Sequence, residues 1–186
     1  MRHRPGKSTQ HEAGGPLSVL PDLFGQFPQP GRVEWIGVRP QRQGRLVSVR
    51  EVRATANAGL QGDHYGGGAN GKRHLTLIQH EHLAVVARLL ALRDKMPTVL
   101  PVDPALVRRN VVISGLNLLA LKNKRFRLGE ALLEFTEPCQ PCSAMEAALG
   151  PGGYNAMRGH GGICTRILES GLIRTGDALL ALDSAS

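Results

Sequence analysis

The apolar residues of this chain occur in short runs, and this pattern limits the possible folds more than any other feature. From Gly31 onward, each run ends at Gly, Pro or a polar cluster, as is typical of β-strands. The runs predict strands over 32–38, 45–52, 74–79, 110–115, 125–137, 162–168 and 177–182. A turn is predicted at Gly129-Glu130, and a hairpin is predicted to join the first two strands. No run approaches the roughly 20 apolar residues that span a bilayer, so no membrane association is expected.

Helical spacing of apolar residues is rarer and predicts two helices, over 81–92 and 144–149. The strands do not alternate regularly with helices, so a doubly wound sheet is disfavoured. We therefore expect a mainly β (α+β) fold, a compact β-barrel with a few attached helices. Residues 1–30 contain many turn formers and no long apolar segment. They are predicted to form an N-terminal tail, without a secretory signal, that precedes a single domain over 31–183.

The composition narrows the possible functions. Of the 186 residues, 23 are Lys or Arg and 15 are Asp or Glu, a net charge of +8. This excess is typical either of a protein that binds phosphate or of a solvated basic surface. Only 4% of residues are aromatic, which weakens a model of base stacking on nucleic acid. Three cysteines make a poor disulfide framework, so a reducing, cytoplasmic location is expected.

The sharpest motif is the C-x-x-C formed by Cys139 and Cys142. Ser143 and Glu146 fit a capping box, which would place the Cys142 sulfur beside the amides of a helix N-terminus and favour its thiolate. Cys142 is the predicted reactive thiol, and packing on Ala147 is the alternative. Cys139 is either a resolving thiol or filler, and Cys164 is predicted to be core. No zinc is expected, because only Cys164 and His160 could add ligands and they form no second motif.

Two glycine-rich segments are the next candidates. The first, 150–163, carries Asn155, Arg158 and His160 among six glycines, so its amides and Arg158 could hold an anion while His160 acts as an acid or base. A plain surface loop is the alternative. The second, 59–79, resembles a P-loop at Gly66–Lys72, but Arg73 replaces the magnesium-binding Ser or Thr and a strand follows, so the match is rejected. Asp63, Lys72 and Arg73 remain as candidate binding residues.

The pair Arg108-Arg109, followed by Asn110, lies just before a predicted strand. Two guanidinium groups and a side-chain amide suit a phosphate or a polar ring system. A basic strand end that faces solvent explains the same residues. Arg108 and Asn110 are therefore candidate cofactor-binding residues.

Together these motifs resemble the MOSC domain, the module named for the C-terminal part of molybdenum cofactor sulfurases. The resemblance runs from about Gly31 to Leu182 and rests on the segments GLQGDHY, HLTLIQHEHL, RRNVVISGLNLLAL, PCQPCSAMEAALGPGGYNAMRGHGGI and IRTGDAL. Stand-alone bacterial members are the most similar. Larger relatives carry a C-x-R-C stretch whose second cysteine corresponds to Cys142, with Pro141 here in place of Arg. The Arg-x-Asn of those relatives corresponds to Arg108 and Asn110.

The resemblance implies a MOSC-type barrel and a cysteine, Cys142, that carries sulfur or ligates the molybdenum of a pterin cofactor. It also implies reduction of an N-hydroxylated small molecule with a redox partner. Alternatively, it implies a metal-free persulfide carrier for metal–sulfur cluster assembly, supplied by a pyridoxal-phosphate desulfurase, since this chain has no room for that domain. A third hypothesis, from another class, is a basic nucleic-acid-binding barrel. Specific nucleic-acid binding is not expected, because an aromatic platform is lacking.

Overall fold

The computed structural model describes residues 20–42, 44–65, 68–94 and 100–182, without the side chains of 20–22 and 92–94. Eleven strands are assigned in the described residues: β1 (Gly31–Val38), β2 (Val47–Val49), β3 (Glu51–Thr55), β4 (Gly59–Leu60), β5 (Leu75–Gln79), β6 (Val111–Ser114), β7 (Arg125–Leu128), β8 (Ala131–Pro138), β9 (Ile163–Glu169), β10 (Gly171–Arg174) and β11 (Ala178–Ala181). The helices there are α1 (Leu20–Gly25), α2 (His80–Asp94), α3 (Ser143–Leu149) and α4 (Gly153–Met157), with a 3-10 turn at Leu118–Leu121.

Seven strands close into a mixed barrel in the order β11-β7-β8-β9-β5-β6-β1. Closure is made at the start of β1, where Gly31 and Arg32 pair with Leu179 and Ala178 of β11. Strands β5 and β6 are parallel, with α2 in their connection, and the other barrel pairs are antiparallel. The predicted mainly β barrel with a few helices is confirmed.

Branched and aromatic side chains that alternate along these strands fill the barrel interior, with Phe126, Ile36 and Leu75 among the largest fully buried groups. A second apolar cluster lies between the barrel and the helices, built around Ile78, Leu83, Val86, Met145 and Met157. This cluster holds α3 and α4 beside one end of the barrel. None of the described helices is long and apolar enough to cross a bilayer.

Three local predictions are corrected. The run 45–52 is two strands: β2 pairs with β1 as the predicted hairpin, and after Arg50 the chain crosses to β3 in a separate sheet ordered β10-β3-β4. The connection after β9 contains β10, since its alternating Gly171–Arg174 pairs with β3. The cap of α3 is Cys142 instead of Ser143, and the Glu146 carboxylate accepts hydrogen bonds from the amides of Gly152 and Tyr154 at 2.8 Å.

The predicted tail lies partly outside the described residues, which begin at residue 20. Within its described part, Phe27 packs against the barrel core. The Gln29 amide donates a hydrogen bond to the carbonyl of Gly115 at 3.0 Å. The boundary at residue 31 remains a prediction.

Candidate functional site

A pocket of about 320 Å³ opens at the barrel end where β1 finishes and both β5 and β6 begin. Because β1 is antiparallel to β6, and β6 is parallel to β5, the residues flanking these three strand ends meet there. The cap of α3 completes the wall. The lining residues are Arg39, Leu46, Asp63, His64, Tyr65, Arg73, Thr76, Arg108, Arg109, Asn110 and Cys142.

Positive charge dominates this pocket, since four arginines line it with Asp63 as the single carboxylate among its lining residues. Asp63 is already engaged, because its Oδ1 accepts the Arg39 amide at 2.7 Å. Burial, and then the nearby Arg108 guanidinium, lower the pKa of Arg39. Two like charges held together in a part-buried site favour binding of an anion between them.

The segment Arg108–Asn110 is shaped by its backbone. Arg108 adopts a left-handed φ of 58°, which is uncommon for a residue with a side chain. The side chain of Asn110 is held by hydrogen bonds to two neighbouring strands. Its Oδ1 accepts from the Thr76 hydroxyl at 2.8 Å, and its Nδ2 donates to the Gly37 carbonyl at 3.3 Å. The amide of Asn110 therefore ties β5 to β1, and the Arg108 side chain is left to line the pocket.

Arg109 is 5% exposed, and its guanidinium donates hydrogen bonds to backbone carbonyls of the protein. Its Nε donates to the Gly161 carbonyl at 2.7 Å, Nη1 to Val107 at 3.0 Å, and Nη2 to Cys139 at 3.3 Å and Gln140 at 3.4 Å. These bonds fix the Cys139–Gln140 backbone, which leads directly to Cys142. Arg109 is therefore a positioning residue for the cysteine segment.

Cys142 is exposed at the edge of the pocket. Its backbone is extended, with φ −134° and ψ 177°, and its carbonyl accepts the first helical bond from Met145 at 2.8 Å. The thiol makes no capping hydrogen bond. The sulfur is thus accessible to a ligand in the pocket.

The other two cysteines are buried and lie beneath Arg73. Arg73 Nη2 donates to Cys139 Sγ at 3.2 Å and its Nε donates to Cys164 Sγ at 3.3 Å. The neighbouring Cys164 thiol lowers the pKa of Cys139, and Arg109 and Arg73 act in the same direction against burial. The Cys139 sulfur and burial raise the pKa of Cys164. The Cys164 core assignment is confirmed, and Cys139 is a buried thiol that lies beside the pocket without lining it.

Among the sequence candidates, the pocket brings together Cys142, Arg108, Asn110, Arg73 and Asp63. The other five do not line it; one of them is the buried Cys139. Lys72 lies 3.8 Å from Glu137, Asn155 and Arg158 are exposed on and after α4, and His160 packs edge-on against His82 at 4.8 Å between ring centroids. Their proposed roles in catalysis and cofactor binding remain predictions.

Two glycines of the segment 150–163 are required by close packing of the backbone. A side chain at Gly161 would clash with the Cys139 carbonyl, and one at Gly162 would clash with the Leu77 carbonyl. These glycines let the chain pass close to β5 and to the cysteine segment. They thus keep the segment before Cys142 packed closely against the loop and β5.

Sequence reasoning missed Arg39, Tyr65 and Thr76 as pocket residues. Arg39 follows a strand in a polar connection, and Thr76 is an ordinary strand residue, so neither carries a local motif. The signal that could have found them is topological. A prediction that β1 pairs antiparallel with β6 would place Arg39 beside Arg108.

The comparisons with known proteins agree with this architecture. The fold is similar to the crystal structure of the YuaD protein from Bacillus subtilis, which is 18% identical, with a TM-score of 0.68 over 84% of this chain and 98% of that one. It is also similar to YiiM from Escherichia coli, which is 22% identical, with a TM-score of 0.64 over 86% of this chain and 72% of that one. YiiM from Geobacillus stearothermophilus is 22% identical, with a TM-score of 0.58 over 82% and 75%.

No curated protein matches the chain. The family model of the MOSC domain matches residues 50–180, a span that includes β3 through most of β11 and every pocket residue except Arg39 and Leu46. That span is well over half of the sequence. The chain therefore belongs to the MOSC domain family.

Proposed function

We propose that the pocket binds a molybdenum–pterin cofactor and that the protein uses it to reduce an N-hydroxylated small molecule. The observation that carries the proposal is the exposed Cys142 thiol at the edge of a pocket with four arginines and one engaged carboxylate. Arg39, Arg73 and Arg108 would hold the pterin phosphate, because guanidinium groups pair well with phosphate oxygens. Cys142 would be the protein ligand of the metal.

The donor groups fit a metal that brings most of its own ligands. Within the described ranges, no group of three or more His, Cys, Asp or Glu side chains is placed to hold a metal ion. A bare ion would thus lack ligands, whereas a pterin-bound metal needs only a soft thiolate from the protein. Cys142 supplies that thiolate, and the arginines supply the countercharge for the pterin phosphate.

When bound, the cofactor would supply the electrons that cleave an N–O bond. The protein contributes orientation and proton supply. Arg39 and Arg108 fix the anionic end of the ligand, and Asn110 holds the backbone that carries Arg108. The His64 ring also lines the pocket, where Arg39 Nε donates to its Nδ1 at 3.3 Å, and it would be the group that exchanges a proton with the bound substrate. A separate redox protein would deliver the electrons.

A persulfide carrier without metal is the second candidate, and the free, uncapped Cys142 thiol favours it. In that reaction the Cys142 thiolate attacks the outer sulfur of a donor persulfide and releases the donor thiolate. A pyridoxal-phosphate desulfurase is the expected donor. The pocket arginines would then stabilise the bound anionic sulfur.

The test is molybdenum and pterin content of protein purified from a host that makes the cofactor. We expect Cys142→Ser to lose molybdenum, Arg108→Gln to lose pterin, and Ser143→Ala, the matched neighbour, to retain both. Arg158→Ala tests the glycine-loop site; a loss equal to that of Arg108→Gln would place the phosphate there. Wild-type protein without either component, but with persulfide on Cys142, would favour the carrier function.

A further inference from the structure

The buried cysteine pair beneath the pocket has no role in the proposed function. Cys139 lies one residue beyond β8, and its amide continues the ladder by donating to Gly162 at 2.8 Å. Cys164 is paired with Glu137, two residues before Cys139. The two cysteines are therefore diagonal neighbours on one face of adjacent strands.

Their sulfurs share one guanidinium. Arg73 Nη2 donates to Cys139 Sγ at 3.2 Å and Arg73 Nε donates to Cys164 Sγ at 3.3 Å, so both sulfurs lie against the same side chain. Cys139 and Cys164 are 2% and 0% exposed, so both thiols are shielded from cysteines of other proteins. Arg73 also lines the pocket, and it therefore connects the pair to the anion site.

We propose that Cys139 and Cys164 form a reversible dithiol–disulfide site, and that its oxidation frees Arg73 from both sulfurs. A small peroxide is the oxidant: the Cys139 thiolate attacks one peroxide oxygen, forming a sulfenic acid and releasing hydroxide or alkoxide. The Cys164 sulfur then attacks the Cys139 sulfur and water leaves, so two thiols and one peroxide give a disulfide. A dithiol reductant reverses the oxidation by exchange.

The protonation states suit this chemistry. The lowered pKa of Cys139 favours its thiolate, which is the nucleophile, and the raised pKa of Cys164 favours the thiol form of its partner. A disulfide bears no negative charge, so Arg73 loses a charge-assisted partner once the bond has formed.

Trypsin releases Cys164 on a different peptide from Cys139 and Cys142, so a digest identifies which cysteines are bonded. Cleavage after Arg127, Arg158 and Arg166 puts Cys139 and Cys142 together on peptide 128–158 and puts Cys164 on peptide 159–166. The reduced, folded full-length protein is exposed to hydrogen peroxide, alkylated and digested. We expect loss of two of the three thiols, loss of the mass of two hydrogen atoms, and a cross-link between these two peptides.

Three variants assign the bond. Cys142→Ser should keep the cross-link, whereas Cys164→Ser and Cys139→Ser should lack it. A bond within peptide 128–158, a cross-link that disappears in Cys142→Ser, or overoxidised Cys139 beside a free Cys164 would each overturn the proposal. Because the wild-type digest alone distinguishes these products, a variant that fails to fold does not block the test.

The release of Arg73 has its own measurement. Phenylglyoxal, which modifies accessible arginines, should react with Arg73 faster in the oxidised than in the reduced protein. Arg108 donates to neither sulfur in the described structure and is the internal control, with an unchanged rate. An equal rate at Arg73 in both states would contradict its release.

Discussion

At the scale of single residues, the arginines of the site divide by what their donors contact. Arg39 and Arg108 line the pocket, and Arg39 has a lowered pKa because burial and Arg108 disfavour its charge. Arg109, one residue from Arg108, instead donates to four backbone carbonyls. Adjacent arginines thus serve different purposes, since Arg108 lines the pocket and Arg109 supports the segment before Cys142.

Replacing Arg109 should therefore affect stability more than any exposed arginine. Arg109→Leu leaves several buried carbonyls without a donor, and we expect it to lower the free energy of unfolding by about 3 kcal/mol. Arg158→Ala is the matched control at an exposed position and should stay within about 0.5 kcal/mol of wild type. Urea titration measures both. Similar values for the two variants would contradict the positioning role of Arg109.

At the scale of elements, turn chemistry and alternation carried most of the sequence prediction. The turn at Gly129-Glu130 correctly separated β7 from β8, and the apolar spacing of 81–92 located α2. The short strands β4 and β10 were missed, because two to four residues contain too little periodicity and are stabilised by tertiary pairing. Local motifs predicted about half of the residues that line the pocket. Arg39 and Thr76 could not be predicted in this way, because they reach the pocket through the order of the strands, which no local pattern encodes.

The loop between α4 and β9 illustrates the same limit, since its glycines suggested an anion site and the structure shows close packing. Gly161→Ala should lower the free energy of unfolding by about 2 to 3 kcal/mol, because the added methyl group clashes with the Cys139 carbonyl. Gly159 has a φ of 78° and open space around it, so Gly159→Ala should cost only about 1 kcal/mol from backbone strain. Urea denaturation compares them, and an equal cost would refute the packing explanation.

Two histidines with lowered pKa values, one just before β5 and one on α2, predict acid sensitivity. His74 precedes β5 and is held neutral, since its Nδ1 accepts the Ile167 amide at 3.3 Å while Nε2 lies 3.1 Å from the Gly68 carbonyl. Burial lowers the pKa of His74, and burial and then His160 lower the pKa of His82. Below a pH of about 6.5 the unfolded chain therefore takes up protons that the folded chain does not.

We accordingly expect the free energy of unfolding to fall as pH drops from 7.5 to 5.5. His82→Gln removes one of the two histidines without disturbing the hydrogen bonds of His74, so its pH dependence should be shallower. Urea titrations at several pH values measure the slope. A slope equal to that of wild type would show that His82 does not contribute.

At the scale of the whole molecule, closure of the barrel and the position of the pocket depend on the same strand. The beginning of β1 pairs with β11 to close the barrel, and its end leads into Arg39 at the pocket. Among the described residues, those before Gly31 make no strand pair of the barrel. The stability of the closed barrel should therefore be separable from the preceding residues, apart from Phe27.

A chain that starts at Gly31 tests this separation. It keeps the β1–β11 pairing but loses Phe27, which packs on the core with its ring 5.9 Å from the Lys124 ammonium. We expect cooperative unfolding, with the free energy lowered by about 1 to 2 kcal/mol, the value of one partly buried aromatic side chain. Phe27→Ala in the full chain should reproduce most of that loss, whereas Phe24→Ala, at a side chain that is 70% exposed, should change little. Loss of cooperativity in the shortened chain would mean that the barrel requires its N-terminal residues in order to close, and the predicted boundary at Gly31 would then be wrong.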